Sequence, residues 1–344
     1  MSAPSGQREL TARRVAVYTM SAAAVVIALL AFWALRSVLL LLFAATLVAI
    51  VLDGLARMFA RKLPISRGVA LAIAALLIVG LIGGISYLFG SELALQINQL
   101  VSLIPGGWDD LSARLGEDRL NGLADKFSPS GSNIFSIVQS ILSFVSGILS
   151  ATLLALLGGV FLATQPRTYR RGLLMMLPQS WEARADDTLH ATGAALRAWL
   201  RGQLVSMMFV GTTIFAGLWL IGAPSPLALA AIAAILGFIP VIGPLMAAAP
   251  GVLVGLTMGG DAIWHVILIY FVVQQIDGNL INPLVMRHTV EIPPAVTMFA
   301  LFSVGAIFGA AGLLLGGPIT VLIATLIRKL WIEATLGKPV EPLH

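Results

Sequence analysis

Residues 226–258 read PLALAAIAAILGFIPVIGPLMAAAPGVLVGLTM, and this stretch decides how the chain folds. It is apolar for 33 residues, whereas a helix that crosses a bilayer needs only about 20. Pro240 and Pro244 flank Gly243 near its middle, and proline removes a backbone donor and clashes with the preceding turn. The stretch therefore predicts two helices of about 14 residues, each about 21 Å long and too short to cross the membrane alone.

A second broken stretch covers residues 294–327, which would measure about 51 Å as one helix. Its interruptions are glycines and one proline: Gly305, Gly309, Gly312, Gly316, Gly317 and Pro318. Each broken stretch forms either a re-entrant hairpin or a pair of short tilted spans, and we favour the hairpins. Non-helical backbone at membrane depth is tolerated only inside protein or against a water-filled cavity. Both breaks are therefore candidate functional regions.

The composition is typical of an integral membrane protein. Of 344 residues, 58% are apolar and 11% are charged, and the mean hydropathy is +0.96. Soluble domains contain about 45–50% apolar and about 25% charged residues. A soluble globular enzyme is therefore excluded. The predicted fold class is an all-α polytopic membrane protein with about eight hydrophobic segments, two broken hairpins and amphipathic extramembrane helices.

Several kinds of chemistry are absent from the sequence. There is no cysteine, and the four histidines do not have the spacing of metal ligands. No phosphate-binding loop and no nucleophile–base arrangement is found, so neither an enzyme nor ATP-driven transport is indicated. We expect no metal and no cofactor. The net charge of +5 comes from basic residues at the ends of apolar runs, which is typical of membrane orientation and not of nucleic-acid binding.

Six stretches are long enough to cross the membrane as single helices. They are residues 15–35, 38–56, 68–90, 202–222 and 262–281, together with a span inside 137–164. A tight connection at Arg36 separates the first two. The basic residues cluster before the first span, after the second and after the fourth, so the positive-inside rule places both termini in the cytoplasm and the chain in the inner membrane. Arg287 is cytoplasmic if the broken stretches are hairpins and outside if each crosses once.

These spans divide the chain into six segments. They are a three-span segment (1–90), an extracytoplasmic amphipathic insert (91–136), the fourth span (137–165), a cytoplasmic amphipathic segment (166–201), a transport core with both hairpins (202–327) and a cytoplasmic tail (328–344). Asp53, near the cytoplasmic end of the second span, is predicted to pair with Arg57 one helical turn later.

Asp277 is the strongest candidate for a functional side chain. A carboxylate within apolar flanks is costly unless it is paired or hydrated, and such residues often mark ion or substrate paths. The alternative is an interfacial residue that merely ends the span. Asn279 and Asn282 either bind a polar solute or cap a helix break before Pro283. Gln203, Gln274 and Gln275 either line a cavity or form hydrogen bonds between helices.

The two breaks contribute the remaining candidates for the transport path. These are Pro240, Gly243, Pro244, Gly309 and Gly312. Interrupted helices expose backbone groups to cargo in secondary transporters. The competing interpretations are a plain turn at the prolines and close helix packing at the glycines.

Four motifs occur in an order that resembles the autoinducer-2 exporter family, the PerM-like permeases. They are Arg201-Gly202-Gln203, GFIPVIGP at 237–244, DGNLINP at 277–283, and GAIFGAAG at 305–312 followed by GGP at 316–318. Asp277 stands where the family usually has glutamate. The family's Leu-His-Pro is Ile292-Pro293-Pro294 here.

The resemblance implies export of a small polar solute such as autoinducer-2, or exchange of sodium or lithium for protons. It also implies a homo-oligomer, for which a pentamer is one candidate assembly. We therefore expect a secondary transporter that works by alternating access in the lipid bilayer, with Asp277 binding solute or coupling a proton or sodium ion. A sodium or lithium/proton antiporter, a passive small-solute channel and a docking scaffold are the alternatives.

Overall fold

The computed structural model describes residues 5–80, 154–285 and 293–337, and the single residues 83, 84, 95, 99 and 102. All regular structure in these ranges is helical. The helices are α1 (Ser5–Lys62), α2 (Arg67–Gly80), α3 (Leu154–Thr164), α4 (Pro166–Met175), α5 (Gln179–Leu220), α6 (Pro226–Leu236), α7 (Ile242–Thr257), α8 (Ala262–Ile276), α9 (Asn282–Val285) and α10 (Pro294–Leu326). The turn at Asp277–Ile281 joins α8 to α9, and another at Ile327–Glu333 follows α10; both are π-helical.

The prediction of an all-α polytopic membrane protein is confirmed. Within the described ranges, three helical segments are long and apolar enough to cross a membrane by length and composition alone: Tyr18–Lys62, Gln179–Leu220 and Ala295–Glu333. The last of these turns at Gly309. The amphipathic insert, apart from residues 95, 99 and 102, lies outside the described residues. The same is true of the first half of the fourth span and of the loop with Arg287.

The tight connection predicted at Arg36 is wrong, because α1 is one helix of 58 residues, about 87 Å long. Hydropathy alone suggested two spans here, but the residues around Arg36 include neither glycine nor proline, and leucine and arginine both favour helix. The Arg36 guanidinium lies 4.1 Å from the Trp33 ring centroid and donates a hydrogen bond to the Ile307 carbonyl. Because the unbroken α1 separates the arginines at its start from those at its end, the orientation rests on the basic residues after position 56.

Ion pairs fix the end of α1 against α2. The Asp53 carboxylate forms ion pairs with the guanidinium groups of Arg57, at 2.7 Å, and of Arg67, at 3.0 Å. The predicted pairing of Asp53 with Arg57 is confirmed, and the partner from α2 was not expected. Small residues of these helices, including Ala56 and Ala70, pack into one of three apolar clusters.

The other two apolar clusters centre on α5. One lies between α5, α6, α7 and α8 and contains Ile214, Leu229, Val254 and Val266, all at most 1% exposed. The second joins α1, α5 and α10 and contains Trp199. Helix α5 passes position 201 without interruption, so its polar N-terminal half and its apolar C-terminal half form one continuous helix.

The predicted interruptions are both present. Residues 237–241 separate α6 from α7. Within α10 the chain turns at Gly309, whose φ of 67° and ψ of −148° suit glycine. A Cβ on Gly305 would lie 2.6 Å from Leu313, and one on Gly316 would collide with Leu301. Because these pairs are centred on the turn, the two arms of α10 run antiparallel and in close contact.

Candidate transport site

One face of α5 carries two buried polar side chains. Gln203 and Ser206 are each 5% exposed and, three residues apart, they lie on the same side of the helix. A buried polar group is costly unless it is hydrogen-bonded. Each of the two reaches a different neighbouring element, so this face of α5 connects them.

Gln203 holds the break between α6 and α7. Its Nε2 donates a hydrogen bond of 2.7 Å to the Gly237 carbonyl, which directly follows the last residue of α6. Carbonyls at a helix end have no partner within the helix, and the Gln203 amide supplies one. Of the two roles considered for Gln203, the structure supports the bond between helices.

Ser206 holds Asp277. The Ser206 hydroxyl donates to Asp277 Oδ1 at 2.7 Å, and Asp277 is only 8% exposed. An interfacial residue that merely ends a span would be solvated, whereas Asp277 is buried. No cation of the described ranges pairs with this carboxylate. Ser206 is absent from the residues selected by sequence, although a serine three positions after Gln203 in an apolar run is a usable signal.

Asp277 begins a π turn. The Asn282 N–H donates to the Asp277 carbonyl five residues earlier, and the helix continues as α9 through Val285. The break predicted before Pro283 is therefore wrong, because the helix continues through Asn282. The widened turn precedes Pro283, a residue whose ring clashes with regular helix one turn earlier. Single π turns are frequent at functional sites.

In the described ranges, the Asp277 carboxylate forms no hydrogen bond with the other amide side chains of this region. Asn279 Nδ2 donates to Gln275 Oε1 at 2.9 Å and to the Gln275 carbonyl at 3.0 Å. Both side chains are exposed, and Gln274 and Asn282 are half-buried. Asn279 and Gln275 therefore satisfy each other on another side of the helix.

The break itself is a strained, tight turn. Val241 has φ 67° and ψ −54°, and the Ile242 N–H donates to the Pro240 carbonyl at 2.7 Å, which defines a γ-turn of the rare, strained form. A Cβ on Gly243 would overlap the Leu236 carbonyl oxygen, so only glycine fits there. Pro244 lies in the first turn of α7, where its missing N–H has little cost.

The strain at Val241 gives a stability prediction. A positive φ costs an L-residue with a Cβ about 1–2 kcal/mol and costs glycine almost nothing. Val241→Gly should therefore unfold at a higher temperature than Val241→Ala, by a difference of about 1 kcal/mol in unfolding free energy. Thermal unfolding of the two variants in the same detergent checks this. A more stable alanine variant would contradict the γ-turn.

The second arm of α10 packs on this break. A Cβ on Gly317 would lie 2.7 Å from Trp199 and 3.5 Å from Pro240, and the Trp199 ring meets Phe238 edge-on at 5.4 Å between centroids. Gly317 was not among the predicted site residues.

Gly309 and Gly312, which were, differ in their surroundings, because a Cβ on Gly309 would meet no atom within 4 Å. A Cβ on Gly312 would collide with the Val304 carbonyl. The turn at Gly309 lies beside α1, where Phe308 meets Phe32. In the described ranges, no group of three or more His, Asp or Glu side chains is placed to hold a metal ion.

Comparisons with known proteins agree on one family. The model of the AI-2E family transporter matches residues 23–331. YhhT of Escherichia coli (strain K12) is 26% identical over 92% of this chain and 90% of its own length. YueF of Bacillus subtilis (strain 168) is 26% identical over 78% of each chain. YrrI, also of Bacillus subtilis, is 29% identical over 44% of this chain and 43% of its own length.

All three relatives carry names that describe them only as candidate transport proteins. The family match covers most of the chain, including both broken stretches and Asp277. The chain therefore belongs to the AI-2E family of transporters, and its function is membrane transport.

Proposed function

We propose that this protein is a secondary transporter that exports a small polar solute, such as an autoinducer-2-like signalling molecule, by alternating access. One observation carries the proposal. The buried Asp277 carboxylate accepts a bond from Ser206 on the face of α5 that also holds the broken backbone through Gln203. Buried ionisable groups and interrupted helices are the usual components of transport sites in membranes.

A polar solute can use the hydrogen-bonding groups of this face. A hydroxyl or carbonyl oxygen of the solute takes the place of the Gly237 carbonyl at Gln203, and a solute hydroxyl donates to the Asp277 carboxylate, which Ser206 keeps in position. Exchanging one hydrogen bond for another costs little net free energy, whereas leaving a buried polar group without a partner costs about 1–3 kcal/mol. Bound solute thus releases α6 from α5, which allows these two helices to move relative to each other.

Exchange of sodium or lithium for protons is the second candidate function. Asp277 has no cationic partner in the described part of the chain, and a buried carboxylate without one is stabilised by taking up a proton or a metal cation. Both functions use the same carboxylate, so they differ in what crosses the membrane and not in where the site lies.

Counterflow in proteoliposomes tests the proposal. Vesicles loaded with unlabelled solute from a panel of small polar compounds should take up labelled solute in a saturable way, with sodium or proton gradients imposed separately. A passive channel would instead give flux proportional to the gradient, without exchange. Cation exchange with no solute flux would favour the antiporter.

Removal of the Ser206 hydroxyl should weaken transport. Ser206→Ala leaves the Asp277 carboxylate without its donor, and such a loss costs about 1–3 kcal/mol. We expect the KM for counterflow to rise by roughly tenfold, in line with that cost. Ser206→Thr should bring the KM most of the way back to that of the unmodified protein, because the hydroxyl returns. Equal KM values for the alanine variant and the unmodified protein would show that the Ser206 hydroxyl has no role in solute binding.

Sidedness and assembly are part of the same proposal. We place the chain in the inner membrane with the C-terminus in the cytoplasm, together with the basic residues at the end of α1 and in α5. Because α1 is one unbroken helix, a single crossing puts its N-terminal end on the opposite side, so the cytoplasmic N-terminus that two spans predicted is not kept. A homo-oligomer, which the likeness to the family implies, is part of the proposal as well. Native mass spectrometry of the purified protein measures the subunit number.

A further inference from the structure

A cavity with basic walls lies between α1 and α5, away from Asp277. Its volume is about 660 Å³ and it is partly open to the protein surface. The basic side chains that line it come from both helices: Arg57, Arg61, Lys62, Arg197 and Arg201. The transport site uses none of these residues.

These cations are poorly neutralised. In the described ranges only Arg57 has a carboxylate partner, Asp53 at 2.7 Å, and Asp53 is shared with Arg67. Arg201 Nε donates to the Arg197 carbonyl, which is an uncharged acceptor. Several positive charges around one cavity repel each other, so the cavity attracts an anion.

The wall that faces away from the charges is apolar. Ile50 and Val51 precede the cations on α1, and Leu204 follows them on α5. On both helices the apolar residues belong to the long hydrophobic part and the cations stand at its end. The cavity therefore has a cationic end and an apolar end, which match the charged headgroup and the acyl chains of an anionic phospholipid.

We propose that this cavity binds an anionic phospholipid, with the phosphate among the arginines and the acyl chains along the apolar wall. Guanidinium groups are well suited to phosphate because they donate paired hydrogen bonds. Basic pockets between membrane helices bind anionic headgroups on the cytoplasmic side. A free phosphate would use the cations alone and would gain nothing from the apolar wall.

Gly54 offers a way to fill the cavity without removing a charge. It lines the cavity, and a Cβ added there would meet no atom within 4 Å. Because it lies inside α1, a larger residue also improves helix propensity. Gly54→Phe should therefore occupy the lipid's space while the helix stays intact.

Binding of phosphatidylglycerol to the purified full-length protein, measured by native mass spectrometry during a detergent titration, tests the proposal. Arg61→Gln/Arg201→Gln should bind about 30-fold more weakly, because each basic residue near an anionic headgroup contributes roughly fivefold. Gly54→Phe should lose binding although all cations remain. Arg171→Gln/Arg184→Gln, which removes two exposed charges outside the cavity, should bind like the unmodified protein.

Two further ligands identify the source of the anion. Phosphatidylcholine and inorganic phosphate should each bind much more weakly than phosphatidylglycerol, because one lacks net charge and the other lacks acyl chains. Equal binding of inorganic phosphate would overturn the lipid assignment in favour of a soluble anion. Unchanged phosphatidylglycerol binding in both the double-glutamine variant and Gly54→Phe would overturn the site.

Discussion

Asp277→Asn is expected to reduce gradient-driven solute transport by about 10- to 100-fold, while the protein still inserts in the membrane and keeps its subunit number. Asparagine preserves the size of the side chain and can still accept from Ser206, so packing around α5 should persist. What is lost is the negative charge, and a hydrogen bond to a charged group contributes about 1.5–3 kcal/mol. Initial uptake rates in proteoliposomes measure the effect.

Asp261→Asn is the matched control for this substitution. Asp261 is exposed and precedes α8, so the same chemical change occurs at the other end of the same helical segment. Its transport rate should match that of the unmodified protein. If Asp277→Asn keeps counterflow and loses only gradient-driven uptake, Asp277 couples an ion, and if both fall it binds the solute. Normal rates for both activities would show that Asp277 has no role in transport.

Gly243→Ala is expected to disrupt the turn between α6 and α7. Its methyl group would overlap the Leu236 carbonyl oxygen, and neither backbone can retreat far because Gln203 holds the adjacent Gly237 carbonyl. Backbone strain of this kind costs about 1–3 kcal/mol, equivalent to a fall of roughly 5 °C in the unfolding temperature. Transport should fall as well, because the turn presents the backbone that Gln203 binds.

Gly172→Ala provides the comparison for Gly243→Ala. A Cβ there meets no atom within 4 Å, and alanine favours helix over glycine, so the unfolding temperature should stay the same or rise. A Gly243→Ala protein as stable and as active as this control would contradict the close approach of the two helices.

The breaks were predictable from sequence because proline and glycine act through the backbone. The pair of prolines near Gly243 ends a helix wherever it occurs. In α10, however, six interruptions were candidates and only Gly309 has the positive φ of a turn. Sequence does not distinguish them, because glycine serves both in turns and in close helix contacts.

The site was predicted in part, and helical geometry explains the rest. Asp277 stood out by its charge, but Asn279, two residues later in the π turn, is exposed on another side of the helix. Ser206 was missed because serine in a membrane helix commonly bonds its own backbone. The error at Arg36 has a similar cause, since hydropathy measures the length of an apolar run and does not contain a turn signal.

The central claim is that Ser206 and Asp277 act as one unit in transport, and a double-mutant cycle tests it most directly. Counterflow KM is measured for the unmodified protein, Ser206→Ala, Asp277→Ala and the double variant. If the two side chains act together through their 2.7 Å hydrogen bond, the double variant should be hardly worse than Asp277→Ala alone, which already lacks the acceptor, with a coupling free energy of about 1 kcal/mol or more. Losses that simply add would contradict the claim.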